Sequence, residues 1–423
     1  MINVKSLGAR GNGRNDDTAV IQKAFDLAAQ RGDTVYFPSG VYIVNPEKTL
    51  RISSGITVKG TGRSATIKAD SSRFGWEMVR IEGDDISISA IYFDGNNRVN
   101  RVIVIGGGSH RINVKGAFVA NAAHSSNPNS DYYNGVVSGI VVYGNTEDIV
   151  ISGTEIFNIV ATNLTSGSLI ARGIYVTTTW GSSETAARDL LITGCYIHHV
   201  GPADDGDGIY YEDPAMDNDK GQDVHSIISN NRFDHCAKRG IKIYAEGITT
   251  QGNQITNSYL NNNYYKGKDK GKLAPDMYSA ISIYGSNHVI DSNTVSGVGS
   301  FYAAIEVESD EAADNITIRG NNISMGNSSN IQGKTSIRLG NISNFKVLNN
   351  NLTNGERGVW TWQNADKGLI SNNVIKMPKG GGIDLSTYLR GYVQSNITLS
   401  FNRIQASKYT IQTAPTNKNV III

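Results

Sequence analysis

Three sets of carboxylates in this 423-residue chain have spacings that suit acid–base chemistry. Asp204, Asp205 and Asp207 crowd the turn Gly-Pro-Ala-Asp-Asp-Gly-Asp-Gly, which runs into Ile-Tyr-Tyr-Glu-Asp with Glu212 and Asp213. Glu306 and Glu308 alternate in Ala-Ile-Glu-Val-Glu. A strand would put both on one face about 6.5–7 Å apart by its rise. That is near the lower end of the carboxyl separation used to invert a glycosidic centre. Asp384 stands alone in Gly-Ile-Asp-Leu-Ser. Hydrolysing a glycosidic bond takes one protonated carboxyl for the leaving oxygen and one ionised carboxylate for water or direct attack. Two close carboxyls hinder each other's ionisation and so supply the protonated partner. The Asp204 turn fits ordinary turn chemistry equally well. Lys242 offers a different reaction, β-elimination, in which a base removes the C5 proton of a uronate while a cation neutralises its carboxylate. Arg239 and Lys238 could hold that carboxylate.

The elements that would position these groups recur along the chain. An apolar-alternating strand, a Gly or Asn turn and a second short apolar pair repeat at ITVKGTGRSATI, IVISGTEIFNI, LLITGCYIHHV, SIISNNRFDHC, ITIRGNNI, FKVLNNNL and ITLSFNRI. The turn holds asparagine at 231, 253, 293, 321, 350, 372 and 402. That period is too long for hairpins and fits one coil of a solenoid. Asparagine tolerates left-handed backbone, and its amide can bond the equivalent amide one coil away, so these side chains are expected to form an internal ladder.

Each coil carries another strand opening on a small residue: GIVVY, GIYVT, GIYYE, GIKIY, AISIY, AIEVE, SIRLG, GVWTW and GIDLS. Alternation sends its second and fourth residues inward and its third and fifth outward. The outward rows then read Val141, Tyr175, Tyr210, Lys242, Ser282, Glu306, Arg338, Trp360, Asp384 and Tyr143, Thr177, Glu212, Tyr244, Tyr284, Glu308, Gly340, Trp362, Ser386. Aromatic rings beside carboxylates suit sugars, whose C–H faces stack on rings while their hydroxyls bond acids. Tyr175, Tyr210, Arg239, Tyr244, Tyr284, Arg338, Trp360, Trp362 and Asp384 are the expected substrate-binding set. The insertion from Tyr259 to Ser279 would wall this face. Packing against a second subunit is the alternative use of the same rows.

At the amino end, Val20, Ile21, Ala24, Phe25, Leu27 and Ala28 form a helical stripe over Thr18 to Gln30, with Asp16 and Asp17 as caps. Such a helix would cover the first edge strands. At the carboxyl end Asn419-Val-Ile-Ile-Ile is an apolar strand that a cap or partner would cover. With 39 Lys+Arg against 38 Asp+Glu the net charge is +1, which excludes nucleic-acid binding driven by bulk charge. No apolar run approaches the roughly 20 residues that span a membrane. The polar start Met1 to Asn12 lacks the apolar core of a signal peptide, so either the chain is not exported by that route or a leader was removed and Met1 added. Two cysteines give no disulfide framework.

The stretch INVKSLGARGNGRNDDTAVIQKAFDLAAQRGDTVYFPSGVYIV, Ile2 to Val44, closely resembles the lead-in segment of pectate-lyase-like right-handed β-helix proteins. These include polygalacturonases, polysaccharide lyases, mannuronan epimerases and phage tailspike depolymerases. The resemblance implies an all-β fold, a single-stranded right-handed parallel β-helix with a short N-terminal capping helix. Residues 1–45 would be the lead-in and 46–423 one continuous domain of about twelve coils. The run from Asp204-Asp205-Gly to Gly240-Ile-Lys242 resembles one calcium-dependent pectate lyase family. That likeness implies calcium on Asp207, supported by Asp204 and Asp205, and Lys242 as base. Tyr210 stands where that family has a further aspartate. The mannuronan-epimerase motif Tyr-Gly-Phe/Ile-Asp-Pro-His does not occur, nor do the polygalacturonase signatures.

The expectation from the sequence is therefore a polysaccharide depolymerase, hydrolase before lyase, with a non-catalytic glycan-binding adhesin or tail-fibre module as the other class. Its catalytic candidates are Asp204, Asp205, Asp207, Glu212, Lys242, Glu306 and Glu308. It would need no cofactor as a hydrolase and calcium as a lyase, act as monomer or homotrimer, and be secreted or virion-associated.

Overall fold

The computed structural model describes residues 1–163, 170–201, 206–258, 277–307, 312–326 and 334–423. They form two compact units, one running from Met1 to Ala215 and one from Met216 onward. Both are right-handed parallel β-helix.

In the first unit the helix Thr18–Arg31 packs on the strands Ile2–Asn3, Thr34–Tyr36 and Leu50–Ile52. Ile21, Ala24, Phe25 and Ala28 are buried, while Val20 and Leu27 are only half-buried. The two aspartates divide the capping work. Asp16 Oδ1 accepts the Thr18 N–H at 2.9 Å. The Asp17 carboxylate turns away and accepts the N–H groups of Arg10 and Gly11, at 2.7 and 2.9 Å, tying the preceding loop to the helix start. Gly32 ends the helix in left-handed conformation, φ 60°, where a Cβ would be strained.

Coils then stack in parallel, with register shifts at Lys59–Gly62 and Gly62–Thr66. One interior row runs Val35, Val58, Ile88, Val114, Ile151, Ile192. A second runs Leu50, Val79, Ile103, Ile140, Ile174, Ile209. All are buried, each such side chain giving roughly 1.5–3 kcal/mol.

The second unit repeats the pattern, with the row Ile241, Ile281, Ile305, Ile337, Val359, Ile383, Ile411. It adds the expected amide ladder: Asn231, Asn253, Asn293, Asn321, Asn350, Asn373 and Asn402. Asn253 shows the unit of construction. Its Oδ1 accepts both the backbone N–H and the Nδ2 of Asn231 at 3.0 Å. Its Nδ2 donates to Ile228 O at 2.9 Å and to Asn293 Oδ1 at 3.0 Å. Both donors and both lone-pair directions of a buried amide are thus used. One member differs from the sequence expectation: the ladder takes Asn373, and Asn372 precedes it in left-handed backbone, φ 57°. Every ladder residue follows such a position (Asn230, Gly252, Ser292, Gly320, Asn349, Asn372, Phe401), so in the Asn-Asn pair the first makes the turn and the second reaches inward.

His288 interrupts the apolar row that continues as Ile316, Phe345, Gly368 and Ile397. Phe345 fits there because Gly368 is empty: a Cβ on Gly368 would lie 2.1 Å from the Phe345 ring. Burial pushes the His288 imidazole down to about 4, so it sits neutral in the core.

Two outcomes follow. Replacing Asn293 by alanine strips an acceptor from the Asn253 N–H and Nδ2 and a donor from Thr250 O. A loss of about 2–4 kcal/mol is expected from these buried unsatisfied groups, read as a shifted urea midpoint. Because the folded pKa of His288 lies below its usual 6.5, its contribution is complete above pH 6.5 and is lost as pH falls toward 4. Thermal melts of wild type should fall across that window, and His288→Leu should flatten the fall.

Candidate functional site

The outward rows form in the order the alternation requires. In the first unit Val104, Val141, Tyr175 and Tyr210 are register partners. In the second, Lys242, Ser282, Glu306, Arg338, Trp360 and Asp384 are. A further outward row was not visible from alternation: the residue before each small residue. It reads Ser138, Arg172, Asp207 in the first unit, where Ser138 pairs with Arg101 before Val102, and Arg239, Ser279, Ala303, Thr335, Arg357, Gly381 in the second. The small residue explains it. A Cβ on Gly173 would lie 2.4 Å from Gly208 O and 2.7 Å from Ile197 Cγ2, so the glycine itself takes the close inward approach, while Arg172 before it lies over the outward rings of Tyr175 and Tyr210. The signal available in the sequence was that Arg172, Arg239 and Arg357 immediately precede small residues.

These arginines meet the acids. In the first unit Arg172 Nη1 lies 2.7 Å from Asp207 Oδ2, both side chains buried, and the guanidinium covers the Tyr210 ring at 4.3 Å. Five residues along the same strand, roughly 16 Å by strand rise, Glu212 is half-buried and held without any guanidinium. Its Oε2 accepts from the Tyr175 hydroxyl and the Thr177 hydroxyl, each at 2.7 Å, and its Oε1 from the Tyr210 hydroxyl at 3.0 Å. Tyr175 and Tyr210 stack at 5.5 Å and 12°. Burial, and then the Glu212 charge, push the Tyr175 phenol up to about 12 and raise Tyr210 as well. Both therefore stay protonated donors at neutral pH. Asp207 and Glu212 are too far apart to share one glycosidic bond.

In the second unit Glu306 is fully buried. Arg338 Nη1 binds its Oε1, to which the Tyr278 hydroxyl also donates at 3.3 Å. Arg338 in turn lies over Trp362 at 4.0 Å and Tyr302 at 4.9 Å. Asp384 repeats the motif. Arg357 Nε donates to its Oδ2 at 3.0 Å and covers Trp360 at 4.3 Å, while the Tyr409 hydroxyl and the Ser386 N–H add donors at 3.2 and 3.0 Å. Trp360 is itself buried, with its indole N–H on Ser386 O at 2.8 Å. Arg239 donates to Ser282 Oγ at 3.1 Å and lies over Tyr278. Tyr244 meets Tyr284 edge-on and donates to Asp217 at 2.6 Å. Lys242 is half-buried beside Ser282. Asp204, Asp205, Glu308 and residues 259–276 of the long insertion lie outside the described residues. Tyr278, Tyr302, Arg172 and Arg357 are the members sequence reasoning missed.

Asp207, assigned to calcium by resemblance, already faces a fixed cation in Arg172, which a calcium ion would have to displace. Among the described residues no group of three or more His, Cys, Asp or Glu side chains is arranged to hold a metal, and no helix is long and apolar enough to cross a membrane.

A parallel β-helix presenting rows of stacked rings, guanidinium groups and carboxylates defines a solenoid of the pectate-lyase-like class. Residues 1–260 match the family model described as rhamnogalacturonase A/epimerase, pectate lyase-like, and the chain belongs to that family; residues 271–423 match a right-handed β-helix region. Among curated proteins it is 28% identical over 181 residues to the SPbeta prophage-derived uncharacterized protein YomE of Bacillus subtilis strain 168, covering 40% of this chain and 26% of that one. It is 44% identical over 71 residues to the mannuronan C5-epimerase AlgE3 of Azotobacter vinelandii, covering 15% of this chain and 4% of that one. The chain thus matches only a small part of either relative's length. Among solved structures the Streptococcus pneumoniae surface adhesin PfbA superposes with a TM-score of 0.68 at 18% identity, covering 92% of this chain and 93% of that one, a likeness of fold.

Replacing Arg338 by alanine removes the guanidinium that binds the fully buried Glu306 carboxylate. The expected loss is about 3–5 kcal/mol. The double variant Glu306→Gln with Arg338→Met should lose less than Arg338→Ala alone, as measured by urea denaturation.

Proposed function

We propose that the chain binds a polysaccharide along these outward rows and cleaves its glycosidic bonds by hydrolysis, with Glu212 as the ionised carboxylate and Asp204 or Asp205, which lie outside the described residues, as the candidate protonated carboxyl for the leaving oxygen. The observation that carries this reading is the hydroxyl cradle of Glu212. Asp207, Glu306 and Asp384 are each taken by an arginine, whereas Glu212 receives only neutral hydroxyl donors and stands half-exposed. Hydroxyl-to-carboxylate bonds of this kind exchange readily with those of a sugar. Tyr175 and Tyr210 would orient the carboxylate and, as protonated phenols, cannot serve as the base. Lys242 with Arg239 is the corresponding assignment for β-elimination of a uronate, with calcium as its cation. The three arginine-locked acids favour a second reading, a non-catalytic glycan-binding module, because they stiffen a recognition surface and leave fewer carboxylates for chemistry. A prophage-derived relative and a surface-adhesin fold neighbour support action outside the cell or on a virion.

The test is incubation with neutral and uronate polysaccharides, following reducing ends and ultraviolet absorbance together. New reducing ends without absorbance are expected, lost by at least a hundredfold in Glu212→Gln. Rising absorbance would move the chemistry to elimination and Lys242. Glycan binding with no product would leave the binding module.

A further inference from the structure

Several rings along the outward face spend a face on a neighbouring ring or a guanidinium. Tyr175 and Tyr210 stack at 12°, Tyr278 and Tyr302 at 17°, and guanidinium groups cover Tyr210, Trp360 and Trp362. Such rows offer a ligand ring edges and hydroxyls. A pyranose ring packs its C–H face on an aromatic face, so a glycan bound to these rows needs a ring with a free one.

Trp180 is that ring in the first unit. It is 99% exposed, at the tip of the turn that follows the strand Ala171–Val176. The turn beneath it is braced. Glu184 accepts the Thr179 N–H at 2.6 Å and the Thr179 hydroxyl at 3.1 Å. The Ser182 N–H donates to Thr179 O at 3.0 Å. Thr185 donates its N–H and hydroxyl to Asn145 Oδ1 at 2.8 and 3.0 Å, and Asn145 N–H returns a bond to Thr185 O at 2.8 Å. Gly144 leaves room for this docking, since a Cβ there would lie 2.3 Å from Thr185 O. Held this way, the turn carries an indole that gives the fold no burial. Trp180 lies three positions after Thr177, whose hydroxyl donates to Glu212, so the two backbones are at most about 10 Å apart.

We infer that Trp180 is a stacking subsite for one pyranose unit of a glycan chain whose neighbouring unit meets the Glu212 cradle. This rests on the glycan reading above. The test uses the full chain with hexasaccharides of mannuronan, rhamnogalacturonan and a neutral glucan, measuring affinity by calorimetry and acrylamide quenching of tryptophan fluorescence. Trp180→Ala should bind about three- to tenfold more weakly, Trp180→Phe should recover most of the affinity, and both should melt with wild type. Bound glycan should shield wild type from acrylamide and change Trp180→Phe little. Wild-type binding with an indifferent Trp180→Ala overturns the subsite and leaves the glycan reading standing. Failure of the wild-type chain to bind any of the three overturns both.

Discussion

A buried primary amide has two N–H donors and an acceptor oxygen to satisfy, and in the second unit each ladder asparagine satisfies them only if an identical asparagine sits one coil along. Asn253 cannot be placed without Asn231 on one side and Asn293 on the other. The ladder therefore pins successive coils to one register regardless of how many residues the intervening loops contain, from 22 between Asn231 and Asn253 to 40 between Asn253 and Asn293. Where coils are pinned, outward side chains are pinned too. The first unit uses left-handed Gly116, Gly153 and Gly194 at the equivalent turn, with Thr154 and Cys195 following the last two, and relies on apolar rows for the same purpose.

Register decides which side chains become neighbours across the strand spacing of about 4.8 Å. On the outward rows it repeatedly sets an arginine beside an acid and over a ring: Arg172 with Asp207 and Tyr210, Arg338 with Glu306 and Trp362, Arg357 with Asp384 and Trp360. Such buried pairs are costly to break and add little net stability over a hydrophobic replacement, so their value lies in holding a polar surface rigid. A rigid polar surface suits recognition of a long, hydroxyl-rich ligand. Glu212 is the exception in this series, and its difference is a matter of partners rather than of residue type.

The architecture was readable because solenoid coils repeat their burial pattern. The small residue, the inward second and fourth positions and the outward third row all have the register predicted from alternation, down to the order Lys242, Ser282, Glu306, Arg338, Trp360, Asp384. The choice between Asn372 and Asn373 was not readable, because either residue type suits a left-handed turn and only the neighbouring coils select which amide points inward. The outward placement of Arg172 and of Arg357 also escaped, because strict alternation fails at the glycine that follows each of them.

The sequence by itself determined the coil, its period, the helix over the first strands and the identity of most outward residues. These depend on local periodicity and on side-chain size, which are properties of each segment alone. Only the tertiary structure decided which acids are locked by arginines and which is held by hydroxyls. Those assignments depend on residues 27 to 37 positions apart in sequence being brought within hydrogen-bond reach, as Arg357 meets Asp384, Arg172 meets Asp207 and Tyr175 meets Glu212. A carboxylate's chemistry follows its contacts, and in a solenoid those contacts come from the next coil.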